Sequence, residues 1–148
     1  MTEVSFEELP DLAGRDLGWS DWLAIDQDRI DLFAEATDDF QWIHVDRPRA
    51  ERENGGTIAH GMLTFSMLPK MAEQLLRITG AGKILNCGCN RLRFATPVPS
   101  GGRVRLHQSV KTVEARAGGY QVVAEGLIEL EGVEKPACFV ETVMLVLP

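Results

Sequence analysis

Asp39, His44 and Gly61 are the residues of this chain whose types and spacing bear most directly on chemistry. They stand in two short stretches, Asp39-Phe40-Gln41-Trp42-Ile43-His44 and Ile58-Ala59-His60-Gly61-Met62. A carboxylate and an imidazole in one segment can take and give a proton, and a glycine that opens an apolar helix presents a backbone amide without an intrahelical partner. Such a set suits acid/base work on a carbonyl compound, where the amide holds the oxygen that gains negative charge.

Each residue also has an ordinary structural use. Asp39 could cap a turn, His44 could be a satisfied core histidine, and His60 is best read as shaping the turn before Gly61. His107 alternates with Arg103 and Arg105 on what reads as a solvated strand face. The wide gaps between the three histidines, without HExxH or CxxC spacing, argue against a metal site. Cys87, Cys89 and Cys138 are odd in number and read as reduced strand or core thiols.

The elements that must position these residues follow from periodicity. An extended segment from Trp19 to Ile25 precedes Asp26, which can cap a helix with Ile30, Phe33 and Ala34 on one face, ending near Thr37. Residues 38–56 carry Arg47-Pro48 and Gly55-Gly56 and predict loops with a helical turn around Arg49 to Glu53, so Asp39 and His44 sit on or beside a loop. From Gly61 the run Met62, Leu63, Phe65, Met67, Leu68, Met71, Leu75, Leu76 and Ile78 predicts one long buried helix, kinked at Pro69 and stopped at Thr79-Gly80-Ala81-Gly82. The second half alternates with period two between turns at Pro97 to Gly102, Ala117-Gly118-Gly119 and Glu131-Gly132. One helix followed by four antiparallel strands, with an earlier fifth, describes an α+β domain over residues 1–148 whose sheet wraps the helix.

Composition narrows the function classes. With 148 residues and 45% hydrophobic content the chain can bury one core. Its net charge of −7 and the lack of a basic stripe argue against nucleic acid. A phosphorylated ligand would depend on a local pool of Arg91, Arg93, Arg103, Arg105 and Lys111. The acidic N-terminus and the lack of a long apolar stretch point to a soluble, cytoplasmic protein with no membrane partner.

The segment Phe33 to Asp46, followed by Gly56-Thr57-Ile58-Ala59-His60-Gly61-Met62-Leu63, resembles the MaoC-like (R)-specific enoyl-CoA hydratases and dehydratases, particularly their NodN-like branch. The family pattern is roughly Gly-Asp-x-Asn-Pro-aliphatic-His, then a His-Gly that opens the central helix. Asn90-Arg91-Leu92-Arg93-Phe94-Ala95-Thr96-Pro97-Val98 looks like the family's strand after that helix. The resemblance implies a hot-dog fold, a curved antiparallel sheet around a central helix, usually as a homodimer joined sheet edge to sheet edge with the site near the interface. It places the catalytic aspartate on Asp39, the catalytic histidine on His44 and the helix-opening glycine on Gly61, with Ser66 as the serine that supports the aspartate. Gln41, Trp42, Met62 and Leu63 are the candidate substrate contacts.

Asp38 stands where most relatives have glycine, a change able to raise a neighbouring carboxyl pKa or to alter the backbone before Asp39. Gln41-Trp42 replaces the commoner Asn-Pro and is familiar in the NodN-like branch.

The implied activity is reversible addition of water to a trans-2-enoyl thioester of CoA or an acyl-carrier protein, a hydro-lyase reaction of fatty acid metabolism. Water addition at C3 needs a base, an acid at C2 and a donor for the enolate-like oxygen, and no metal or redox cofactor. An acyl-CoA thioesterase and a non-catalytic acyl-CoA-binding domain are the alternatives.

Overall fold

Asp26 starts the first helix as its side-chain type predicts: its carboxylate accepts from the Arg29 amide at 3.0 Å and satisfies one of the free N–H groups of α1, Gln27–Thr37. The computed structural model describes residues 1–148. α1 buries Ile30 and Ala34 and ends at Asp38, whose φ of 57° is left-handed. Glycine adopts that conformation without steric cost, which accounts for the glycine expected there. Two short helices follow, α2 at Trp42–Val45 and α3 at Arg47–Asn54; Asp46 caps α3 through the Arg49 amide, with Pro48 in its first turn. The turn expected around Arg49 to Glu53 is therefore a full short helix, and His44 sits on α2, beside the loop that carries Asp39.

The expected long helix is interrupted. α4 covers Gly61–Ser66 and α5 covers Leu68–Ala72, with Met67 between them and Pro69 in the first turn of α5, where its missing N–H costs nothing. Leu76–Thr79 is not helical but a strand, β4, paired in parallel with β1 at Thr2–Ser5. The apolar run does not reveal that pairing, because the partner lies some seventy residues earlier. Nor is the helix buried all round: Leu63, Leu68 and Met71 are inside, whereas Met62 is half exposed and Ser66 and Pro69 face out.

Of the expected Trp19 to Ile25 segment only the ends are strand: β2 covers Asp16–Trp19 and β3 covers Leu23–Ile25, both antiparallel to β6. The main sheet is completed by β5 (Lys83–Phe94), β6 (Gly102–Arg116), β7 (Gly119–Leu130) and β8 (Cys138–Leu147), in the order β2-β6-β7-β8-β5. Every pairing in it is antiparallel. One face of β6 and β7 carries Val104, Leu106, Ile128 and Leu130, which pack with Ile25, Ile30, Leu63, Leu68 and Met71 into the main core. A smaller cluster of Val4, Leu9, Leu12, Val110, Val122 and Val146 lies under the N-terminal strand.

The outer face is less bare than alternation suggests. Arg105 lies over the rings of Trp19 and Trp22 at 4.3 and 4.5 Å and pairs with Glu129, while His107 packs on Trp19 and pairs with Asp16. β5 is a twelve-residue edge strand exposed along nearly its whole length, Cys87 and Cys89 included; Cys138 is buried. No helix is long and apolar enough to cross a membrane.

Candidate active site

Asp39 comes from the segment that joins α1 to α2, His44 from α2 itself, and His60 and Gly61 from the start of α4. The fold draws these together: one ligand-type atom from each of Asp39, His44 and His60 lies within 4.8 Å of the others. Asp39 is exposed, whereas His44 and His60 are 6% and 3% exposed. The left-handed turn at Asp38 brings Asp39 off the end of α1, and its Oδ1 accepts weakly from the Gln41 amide at 3.4 Å.

Ile58 holds α2 at two adjacent residues, Ile43 and His44. Its N–H donates to the Ile43 carbonyl at 3.0 Å, and its carbonyl accepts from His44 Nδ1 at 2.7 Å. Because a carbonyl only accepts, Nδ1 carries the hydrogen and Nε2 keeps its lone pair. Burial pulls the His44 pKa below its ordinary value of 6.5, opposed by the Ile58 bond and by Asp39 and assisted by His60. The ring is thus held as a neutral imidazole with a free Nε2, the form that can take a proton near pH 7.

Gln27, in the first turn of α1, gives the segment a further anchor: its Nε2 donates to the His44 carbonyl and to Asp31, and its Oε1 accepts from Thr57. Sequence reading missed it, since a glutamine in a helical first turn carries no signal of a partner 17 or 30 residues away.

His60 is more closely involved than its reading as a turn-shaping residue implies. Its ring stacks on His44 with centroids 3.8 Å apart and planes 24° from parallel, and Phe33 packs nearby at 4.9 Å. Its Nε2 lies 3.0 Å from the Asp39 carbonyl and so donates to it. Nδ1 of the same ring is buried without a partner, which ordinarily costs about 1–3 kcal/mol. The Asp39, His44 and His60 cluster has ligand types that suit a metal, but the stacking works against one. In-plane lone pairs of two nearly parallel rings run side by side and do not converge on an ion about 2.0–2.1 Å from each.

Gly61 begins α4, and its N–H has no acceptor among the backbone bonds of the chain. A Cβ there would meet the Phe94 ring at 2.9 Å, so the missing side chain lets β5 close against the helix start. His44 and Gly61 share a cleft of about 470 Å³ with Ile43, Ile58, Thr64 and Phe94 among its walls.

The remaining expected residues are placed differently. Ser66 Oγ donates to the Met62 carbonyl at 2.7 Å, the usual bond of a helical serine to the residue one turn earlier, and does not support Asp39. Leu63 points into the main core and does not line the cleft. Trp42 is partly buried under the Arg49 guanidinium at 4.3 Å, and Gln41 and Met62 are exposed. None of these three is in the cleft wall.

The model of the MaoC-like domain matches residues 8–131. The chain is 43% identical to 3-hydroxyacyl-thioester dehydratase Z of Mycobacterium tuberculosis over 95% of its own length and 96% of that protein's. It is 40% identical to Nodulation protein N of Rhizobium leguminosarum bv. viciae over 93% and 88%. Among solved structures, the (R)-hydratase of A. caviae involved in PHA biosynthesis superposes with a TM-score of 0.71 at 24% identity over 92% of this chain and 96% of that one. The unliganded R-hydratase PhaJ1 of Pseudomonas aeruginosa gives 0.72 at 21% over 91% and 81%. The hot-dog arrangement of sheet and helix is therefore shared, and on its sequence this chain belongs to the MaoC-like dehydratase family.

Proposed function

We propose that the chain is an (R)-specific hydro-lyase that adds water reversibly to a trans-2-enoyl thioester, with Asp39 and His44 as its acid/base pair. The observation that carries this reading is the His44 ring: Nδ1 is tied to Ile58, Nε2 is free, an Asp39 carboxylate oxygen lies within 4.8 Å of a ring nitrogen, and the ring shares its cleft with Gly61.

Water held between His44 Nε2 and Asp39 attacks C3 of the enoyl group, and its oxygen becomes the 3-hydroxyl. The proton that leaves it passes through the pair and is delivered by Asp39 to C2, so one water is consumed and both residues return to their starting forms. Negative charge on the thioester oxygen is held by the Gly61 N–H, a type of donor whose loss costs about 2.7–4 kcal/mol in the barrier. Dehydration is the same path reversed. The acyl group enters by the cleft of Ile43, Ile58, Thr64 and Phe94 rather than past Leu63.

The phosphate end of a CoA or carrier-protein substrate has fewer partners than the sequence offers. Arg103, Arg105 and Lys111 are engaged by Glu131, Glu129 and Glu141, which leaves Arg91 and Arg93 on β5 without a carboxylate in ion-pair contact.

The working form is a homodimer of one-domain chains in the cytoplasm, where free thiols persist. An exposed twelve-residue edge strand with Ile84, Leu85 and Phe94 at the surface is a natural place for a second copy to pair, and Phe94 connects that edge to Gly61.

Purified protein given enoyl-CoAs of four to sixteen carbons should remove the enoyl absorbance and yield the (R)-3-hydroxyacyl thioester on chiral analysis. Release of free thiol instead would identify a thioesterase, and binding without product a non-catalytic domain.

A further inference from the structure

Three parts of the site converge on one residue that the acid/base scheme leaves without a task. His60 donates from Nε2 to the Asp39 carbonyl, stacks its face on the His44 ring, and by its own extended backbone (φ −57°, ψ 137°) serves as the residue before Gly61 at the head of α4. Its carbonyl is held in turn by the Thr64 amide at 3.1 Å and the Thr64 hydroxyl at 3.4 Å. The His60 residue is 3% exposed, so the ring that makes these contacts is shielded from solvent.

The choice of histidine is informative. A residue kept only to fill space between Phe33 and His44 could be phenylalanine, and a residue kept only to bond Asp39 could be glutamine. Either would remove the unpartnered Nδ1 that the present ring carries in the interior. Histidine alone among these offers a flat face for His44 and an edge N–H for Asp39 at the same time.

We infer that His60 is a positioning residue that sets Asp39, His44 and the Gly61 amide in register with one another through its edge, its face and its backbone. The inference rests on the reading of Asp39 and His44 as the acid/base pair. It predicts a defect in the chemical step and not in substrate capture, since His60 faces the pair and is absent from the cleft wall.

The test uses the full-length protein and a series at this one position: His60→Ala loses both contacts, His60→Gln keeps an N–H for Asp39, and His60→Phe keeps a face for His44. Hydration of crotonyl-CoA is followed for each, with Asp39→Asn and His44→Ala as references. Misplacement of reacting groups by about 1 Å can cost about 100-fold. His60→Ala should accordingly lower kcat by about 10- to 100-fold with KM changed less than about twofold. His60→Gln and His60→Phe should each recover part of kcat. Nitrogen-15 spectra of His44 should show the Nδ1-protonated form that Ile58 fixes in both proteins, with the ring resonances shifted in His60→Ala by the loss of the stacked face.

The inference is overturned if the folded His60 variants keep the parental kcat, or lose activity wholly through KM, while the two references are inactive. It is equally overturned if Gln and Phe fold as well as the parent and recover nothing. If Asp39→Asn and His44→Ala are as active as the parent, the acid/base reading itself has failed, whatever His60 does. Should His60→Ala not fold, the Gln and Phe variants decide the question alone.

Discussion

The sheet and the segment from Asp38 to Gly61 are held in place by different means. β6, β7 and β8 are joined by long antiparallel ladders whose bonds repeat, so each residue contributes a small and replaceable share. The Asp38 to Gly61 segment has only short helices, and its conformation depends on single-atom attachments: Gln27 to His44 and Thr57, Ile58 to His44, and His60 to Asp39. A scaffold built on redundancy carries a site built on unique contacts. Substitutions in the first region should therefore act on stability, and those in the second on rate.

The sharpest separation should come from His44→Ala. Removing a general base typically costs 10²- to 10⁴-fold, so kcat for enoyl-CoA hydration should fall by about that factor. Stability should fall by no more than the loss of the Ile58 bond and the His60 stacking accounts for, about 1–3 kcal/mol, and a large fall in melting temperature with parental kcat would erase the distinction. The opposite pole is Ile128→Ala in β7, a fully buried position of the main core. It should lower unfolding free energy by about 2–5 kcal/mol in denaturant titration and leave kcat per folded molecule nearly unchanged.

Gln27→Ala lies between the poles. The loss of its bonds to the His44 carbonyl, Asp31 and Thr57 should cost about 1–3 kcal/mol and also lower kcat, because one anchor of His44 is gone. An effect on stability alone would show that the segment keeps His44 in place by other means.

The pH dependence follows from His44. Its pKa is lowered, so the unfolded chain binds the proton more readily than the folded one between the folded value and 6.5. His44 therefore contributes stability that is complete above 6.5 and is lost as the pH falls through the folded value. The acid limb of kcat/KM should likewise have its midpoint below 6.5, and a midpoint above 6.5 would exclude His44 as the depressed base.

The smallest effect belongs to Asp38→Gly. Glycine relieves a left-handed aspartate but gains chain entropy when unfolded, so stability should rise by no more than about 1 kcal/mol, with Asp39 still presented in the same way. A fall in stability would mean that the Asp38 side chain contributes a contact of its own.

What could be seen in the sequence divides along the same line. Local signals were sufficient for α1, where Asp26 caps the helix, and for the β6–β7 turn, where Ala117 and Gly118 take positive φ. They also drew attention to Asp39 and His44 together, because both lie in one short motif, and the fold sets their side chains within 4.8 Å of each other. They failed at Leu76–Thr79, whose apolar residues suit a helix as well as a strand and whose conformation is decided by a distant partner, β1. They failed again at Ser66, where the helical spacing was right but the hydroxyl bonds its own helix. The part of His60 was hidden for the same reason: its two contacts lie 16 and 21 positions back in the chain and exist only after α1, α2 and α4 have packed.

The most direct test of the account is the hydration of crotonyl-CoA by the parent and by Asp39→Asn, measured side by side with chiral analysis of the product. Asn keeps the size of Asp39 and its turn at the exposed surface while removing the carboxylate, so folding should be unaffected. The account predicts (R)-3-hydroxybutyryl-CoA from the parent and a loss of at least about 100-fold in kcat for Asp39→Asn. Parental turnover by Asp39→Asn would contradict it.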